Sequence, residues 1–243
     1  MNVRADATSV DLETQVQRAY YKQTAREYDA QHVSENDEHR FAIRVLDAIV
    51  DCYHVQSILD IGAGTGRVAR YFQERYPHIR VVSVEPVTEL REIGYANGLT
   101  PQNLIDGDVH NLAFKDDEFD LVCEFAVLHH LRNPARAVDE MMRVAKIGIF
   151  ISDSNNFGQG SLLARVAKQL LNALGLWKVA DLIKTRGKGY SISEGDGLAY
   201  SYSVFNNYRQ IARKCDTYLF NTHPAGINPY RTAADIALFG LKR

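Results

Sequence analysis

Apolar and polar positions along the chain follow two rhythms in turn. Ser57–Ile61, Ile79–Glu85, Phe119–Glu124 and Ile147–Ser152 are short, nearly continuous apolar runs, and a shorter one ends near Ile105. Such runs predict strands buried on both faces of a sheet. Between them the apolar residues recur at helical spacing. One helix runs from Arg67 to Tyr76 and is stopped by Pro77, and another runs from Val87 to Ala96 and ends at Asn97-Gly98. A third, Pro134 to Val144, carries proline in its first turn. Strands alternating with helices in this way predict an α/β, doubly wound sheet. Upstream, residues 1–10 are polar and read as frayed. Helices are expected from Asp11 to Ala30 and from about Asn36 to Cys52, so that residues 1–52 form an N-terminal helical cap.

Residues 155–201 break the rhythm. Ser161 is placed to cap a helix that runs to Leu174 and ends at Gly175. Arg165, Lys168, Gln169 and Asn172 are its single polar stripe. A shorter helix follows from Trp177 to Thr185, and Gly187, Gly189, Gly195 and Gly197 mark loops. The sheet pattern returns with a helix at Val204–Lys214 and a closing antiparallel pair, Tyr218–Thr222 and Asp235–Leu241. The chain is expected to be one domain over 1–243, with 155–201 as a helical lid over the substrate site.

The first apolar run ends in Asp60-Ile61-Gly62-Ala63-Gly64-Thr65-Gly66. Glycines at alternate positions let the backbone press against a ligand, and the helix start that follows offers exposed N–H groups. The dinucleotide pattern Gly-x-Gly-x-x-Gly is not met, because Arg67 stands where its last glycine belongs. A phosphate loop would need Gly-Lys-Ser/Thr, which is absent. Glu85 ends the second run, on the edge where ligands of open α/β sheets bind, and an acid there can accept from both hydroxyls of a ribose.

This stretch resembles the class I S-adenosylmethionine-dependent methyltransferases, in particular the small-molecule branch called type 11. Asp106–Phe114 is similar to the family segment GDAxxLPF, and Phe119–Leu131 to FDLVxxxxxLHHL. Tyr20, Tyr21, Tyr28 and Asp29 resemble the family's entry helix, which packs over the cofactor, and they equally suit anchoring that helix to the core. The resemblance implies a Rossmann-like, mostly parallel seven-stranded sheet with an antiparallel closing strand and an insertion after strand five. It implies S-adenosyl-L-methionine as cofactor, held by Tyr28, Asp60, Gly62, Ala63, Gly64, Gly66, Glu85, Pro86, Asp108, Val109 and Glu124. By the same resemblance Asp108 accepts from the adenine amine and the Val109 N–H faces the ring.

The histidine pair His129-His130 then sits near the reacting methyl. Histidine titrates near neutrality and suits a general base. Strand five ends at Asp153, one strand spacing away, so Asp153 is expected to orient His129 or His130 as a base dyad. The alternative is that His130 packs and only His129 faces substrate. No metal is expected, since relatives that bind a divalent cation here carry Glu-x-x-Glu-His, and Ala126, His129 and His130 stand at those positions without the carboxylates.

Composition narrows the partners. A formal net charge of −2 gives no general case for nucleic acid. Cys52, Cys123 and Cys215 lie far apart, as free thiols in a reducing cytoplasm would. Neither a signal peptide nor a membrane-spanning run is visible, and a cytoplasmic enzyme is expected. Residues 161–190 carry a net charge of +5 and the rest of the chain −7. The expected activity is methyl transfer to a hydroxyl of a small-molecule or glycan- or lipid-linked acceptor, with peripheral membrane contact through 161–190 as one form of it. The rivals are an inactive cofactor-binding scaffold and, disfavoured by glycine spacing, a nicotinamide-dependent oxidoreductase. Asn155, Asn156 and Phe157 are expected to line the acceptor pocket.

Overall fold

A computed structural model of the chain describes residues 7–29, 38–222 and 228–243. Helix α1 (Ala7–Thr24) begins earlier than its expected start at Asp11, because no glycine or proline interrupts it, and passes into a 3-10 turn, Ala25–Glu27. Helix α2 (Glu38–Cys52) buries Ala42, Ile43, Leu46, Ile49 and Val50 along one stripe. Phe41, on the same helix, is exposed. Ala30 and Asn36 of the expected helices lie outside the described residues.

The α/β core follows as β1 (Ser57–Ile61), α3 (Arg67–Arg75), β2 (Arg80–Val84), α4 (Thr88–Ala96), β3 (Leu104–Ile105), β4 (Phe119–Phe125), α5 (Pro134–Val144) and β5 (Ala145–Ser154). Next come α6 (Leu162–Ala173), α7 (Trp177–Lys184), β6 (Tyr190–Ser193), β7 (Gly197–Tyr200), α8 (Phe205–Ala212), β8 (Cys215–Asn221), α9 (Pro229–Thr232) and β9 (Asp235–Lys242). Seven strands form one sheet in the order β3-β2-β1-β4-β5-β9-β8. β1 to β5 pair in parallel, while β9 runs antiparallel to both β5 and β8. This is the expected doubly wound sheet with its antiparallel closing strand.

Alternate residues of each strand enter opposite layers. Leu59, Ile61, Val122 and Ile149 pack with Val138 and Met141 of α5. Ile58, Val81, Leu121 and Phe150 pack with Leu46 of α2 and Phe72 of α3. The strand order reverses between β1 and β4, which opens a crevice beyond their carboxyl ends. Ile61 lies in register with Val84 and Glu124, and Phe125 with Ser152, so the residues that follow each strand share one edge.

Two expectations are corrected here. The stretch read as glycine loops folds as a hairpin, with Tyr190 opposite Tyr200 and Ser193 opposite Gly197. Tyr190, Ile192, Leu198 and Tyr200 supply the strand-favouring residues, and Gly195 and Gly197 adopt positive φ in its turn. The closing strand β8 starts at Cys215, three residues before the expected Tyr218. Cys52 is an exposed free thiol, and Cys123 and Cys215 are buried free thiols. Among the described residues no helix is long and apolar enough to cross a membrane.

Candidate active site

Two cavities meet over the carboxyl edge of the sheet. The first, about 460 Å³, is lined by Tyr21 and Tyr28 from the N-terminal segment, Gly62 after β1, Glu85 and Pro86 after β2, and Asp108, Val109 and His130. Its floor is built by the glycine turn. Gly62 and Gly64 hold φ of 66° and 56°, which only glycine adopts without strain. A Cβ at Gly64 would lie 2.6 Å from the Tyr28 hydroxyl, and one at Gly62 would overlap Val127. The turn is fixed by Gly62 N–H to the Val84 carbonyl (2.7 Å) and Gly64 N–H to Glu85 Oε2 (2.9 Å). Glu85 also accepts from Val87 N–H at 2.8 Å. Burial outweighs these bonds and raises its pKa to about 7. Asp60 is likewise pushed up to about 7 by burial, with the Ser83 hydroxyl 3.4 Å away.

The second cavity, about 400 Å³, is polar. His129, Asp153, Asn156, Asp181, Lys184 and Asp235 are among its lining. His39, Ala126 and Asp196 line both cavities, so the two adjoin at these residues. The histidine pair sits on a 3-10 turn, Leu128–His130, just after β4. His129 Nδ1 lies 2.7 Å from Asp153 Oδ1, and the His129 N–H donates to Asp153 Oδ2 at 3.2 Å. His129 Nε2 lies 3.3 Å from Asp196 Oδ1. Burial alone would lower the His129 pKa, but the charges and hydrogen bonds of Asp153 and Asp196 outweigh it and hold it well above the usual value. Burial likewise favours a neutral Asp153, and the His129 charge reverses this, so the pair rests as imidazolium and carboxylate.

His130 has a different environment. Its Nδ1 donates to the Leu198 carbonyl at 2.7 Å, which leaves Nε2 to accept from the Tyr21 hydroxyl at 3.0 Å. Burial, then the neighbouring His129 charge, lowers its pKa to about 4, so it stays neutral. Of the two histidines only His129 meets Asp153.

The hairpin turn that carries Asp196 is bolted to α1. Gly195 N–H donates to the Tyr20 hydroxyl (2.7 Å), Leu198 N–H to Gln17 Oε1, and the Tyr200 hydroxyl to Glu13. Tyr21 and Tyr28 therefore face the cofactor-side cavity, whereas Tyr20 anchors the insertion. Asp29 accepts from Thr65 Oγ1 and Asn97 Nδ2 and ties the entry segment to the glycine turn.

Other residues of the expected set lie away from the large cavities. Asp60 and Ala63 line a small recess of about 30 Å³ beneath the turn, and Gly66 is the N-terminal cap residue of α3. Glu124 is fully buried below the floor, where its Oε2 accepts from Val127 N–H and Oε1 has no partner; burial raises its pKa well above the usual range. Asn155 is corrected from pocket lining to structure. Its Nδ2 donates to the Pro229, Tyr230 and Ala233 carbonyls and its Oδ1 accepts from Ser203. Phe157 is buried against Trp177 and Tyr230, and only Asn156 of that trio reaches the cavity. The sequence reading missed Asp196, whose one signal was an acid between two glycines of the insertion. His129, His130 and Asp196 also place their ligand atoms within 4.8 Å of one another, close enough to surround an ion. Each has hydrogen-bond partners here.

Residues 59–151 match the family model described as a methyltransferase domain. The demethylmenaquinone methyltransferase of Thermotoga maritima is 30% identical over 103 residues, 42% of this chain and 44% of that protein. That of Chlamydia muridarum is 27% identical over 181 residues, 72% of each. The first curated relatives are matched over less than half of their own length. A solved S-adenosylmethionine-dependent methyltransferase of Mesorhizobium loti superposes with a TM-score of 0.57 at 12% identity, covering 86% of this chain and 99% of that one, a likeness of fold. By the matching family model, the glycine turn with its strand-end acid and the strand order, residues 59–151 form a class I S-adenosylmethionine-dependent methyltransferase domain of type 11.

Proposed function

We propose that the chain transfers the methyl group of S-adenosyl-L-methionine to a hydroxyl oxygen of a polar acceptor, either a small molecule or a glycan- or lipid-linked one. One observation carries this reading. The His129–Asp153 pair stands on the wall of a polar cavity that adjoins the cavity over the glycine turn. The latter fits the family's cofactor. Its volume suits a nucleoside-sized ligand, the turn leaves no room for a Cβ at Gly62 or Gly64, and Glu85, Asp108 and the Val109 backbone lie along one wall. Glu85 would accept from the ribose hydroxyls and Asp108 from the adenine amine. When bound, the cofactor supplies an activated methyl on a sulfonium.

The chain's own task is alignment and proton removal. Asp153 holds His129 by Nδ1 and so presents Nε2 to the cavity. In the resting arrangement Nε2 faces Asp196. An acceptor hydroxyl that takes the place of Asp196 removes one of the two carboxylates that keep His129 protonated. The imidazole pKa then falls toward the range of a working base. The relatives named for demethylmenaquinone support a small-molecule acceptor.

The lining favours a second reading, a cationic amine acceptor. Asp153, Asp181, Asp196 and Asp235 face a cavity in which Lys184 is the one Lys or Arg among the lining residues. The same histidine would take the ammonium proton. Incubation with methyl-labelled cofactor and panels of polyols, amines and lipid-linked glycans, read by product mass and fragmentation, tests both. Labelled product lost on His129→Ala supports the assignment. No product from any fraction, with the cofactor bound, leaves the scaffold reading.

A further inference from the structure

Helix α6 is turned inside out relative to an ordinary surface helix, which buries its apolar stripe. Its polar stripe faces the protein. Lys168 Nζ donates to the Asn156 and Gln159 carbonyls, Gln169 Nε2 to those of Phe157 and Arg231, and Asn172 Nδ2 to the Tyr230 hydroxyl. Its apolar stripe faces outward, with Leu163, Val166, Leu170 and Leu174 between 55% and 83% exposed. Helix α7 extends the face with Val179 at 60% and Ile183 at 75%. A contiguous apolar surface of this kind marks an interaction site. It also carries charge of one sign. Lys178 and Arg186 border a shallow groove formed by Val179, Leu182 and Ile183, and Lys188 is exposed beside it.

We propose that the outer faces of α6 and α7 are a docking surface for an anionic lipid leaflet. The apolar side chains enter the acyl boundary and the flanking cations meet lipid headgroups. Charge complementarity selects this occupant. Lys178, Arg186 and Lys188 flank the outer face, within a segment, 161–190, that holds a net +5 against −7 for the remainder, so the leaflet attracts this face and repels the rest of the molecule. A second copy docked through the same patch would set these cations against their own equivalents. Nucleic acid would leave the leucines in water. Asp181, Lys184 and Thr185, on the inner edge of the same segment, line the polar cavity. Docking would therefore bring that cavity to the headgroup layer, a consequence that rests on the cavity being the acceptor site.

Co-sedimentation of the full chain with vesicles of phosphatidylcholine and phosphatidylglycerol in equal parts tests this, with pure phosphatidylcholine alongside. Salt-sensitive binding to the mixed vesicles alone is expected. Lys178→Gln with Arg186→Gln lowers it roughly thirtyfold, the loss expected for two cations at an anionic surface. Leu163→Asp with Ile183→Asp abolishes it. Cofactor affinity by calorimetry stays at the wild-type value in both double variants, which shows them folded and separates docking from the methyltransferase reading. Absence of vesicle binding, or equal salt-insensitive binding to both vesicle types, overturns the proposal. So does a dimer in light scattering that the aspartate variants break without any vesicle binding, since that assigns the face to a second copy.

Discussion

At His129 two carboxylates bear on one imidazole, and they do different things. Asp153 fixes the ring through Nδ1, whereas Asp196 faces the atom that would take the proton. His129→Ala is expected to lower turnover by ~10²–10⁴ with cofactor affinity near normal. Asp196→Asn removes one of the charges that raise the His129 pKa, so the acidic limb of kcat/KM should move to lower pH. An unmoved limb would show that Asp196 does not govern the base. His130 is held neutral between Tyr21 and Leu198, and its replacement should act through packing of the α1 contact. Chelation should leave turnover intact; a loss restored by a divalent ion would reassign His129, His130 and Asp196 as its ligands. At the opposite wall, Glu85→Ala should weaken cofactor binding by roughly 1.5–3 kcal/mol, the range for hydrogen bonds to a charged group. Unchanged affinity in calorimetry would remove Glu85 from the ribose.

Among the elements, those that bury apolar runs on both sides were legible in the chain, because their continuity and the helices between them leave one topology open. β1, β2, β4 and β5 fall within a few residues of their expected bounds, and the acids that end them share one edge as a parallel sheet requires. The hairpin β6–β7 was not legible. Its serines and glycines read as loop, and its strands are stabilised by pairing and by contacts to α1 that lie far away in sequence. Asp196 went unseen with it, and so did the link between α1 and the base. The amphipathic pattern of α6 was visible, but its direction was not, since a stripe says nothing about which side the protein takes. Replacing residues 160–190 by a short Gly/Ser linker removes Asp181, Lys184 and Thr185 from the polar cavity and keeps the glycine turn. Cofactor affinity should remain nearly intact while acceptor turnover is abolished. A deleted protein that still methylates its acceptor at the normal rate would place the acceptor site elsewhere.

At the scale of the whole molecule, buried acids set how stability depends on pH. The raised His129 pKa makes stability fall as pH rises through and above neutrality. Its stability contribution is full below the unfolded value of about 6.5 and is lost progressively as pH rises from there through the raised folded value. A lowered Asp153 pKa gives stability that is present above about 3.9 and lost only in strong acid. Glu85 carries the same sign as His129 and the opposite sign to Asp153, because its folded pKa of about 7 lies above its ordinary value of 4.5. The unfolded chain releases this proton near pH 4.5 and the folded chain near 7, so the unliganded protein loses stability as pH rises between them. For a carboxyl as buried as Glu85 the change amounts to roughly 3 kcal/mol over that window. Glu85→Gln keeps one oxygen, for either the Gly64 or the Val87 N–H, and cannot ionise, so the lost bond is a constant that does not vary with pH. Urea unfolding of both proteins without cofactor, at a series of pH values from 5 to about 8, should therefore show wild type falling relative to Glu85→Gln by about 2–3 kcal/mol. Parallel profiles would mean that the Glu85 carboxyl is already ionised at pH 5 in the empty fold. Asp60, buried with a pKa of about 7, adds the same sign to both proteins and differs between them only through the Glu85 charge, the smallest of its causes.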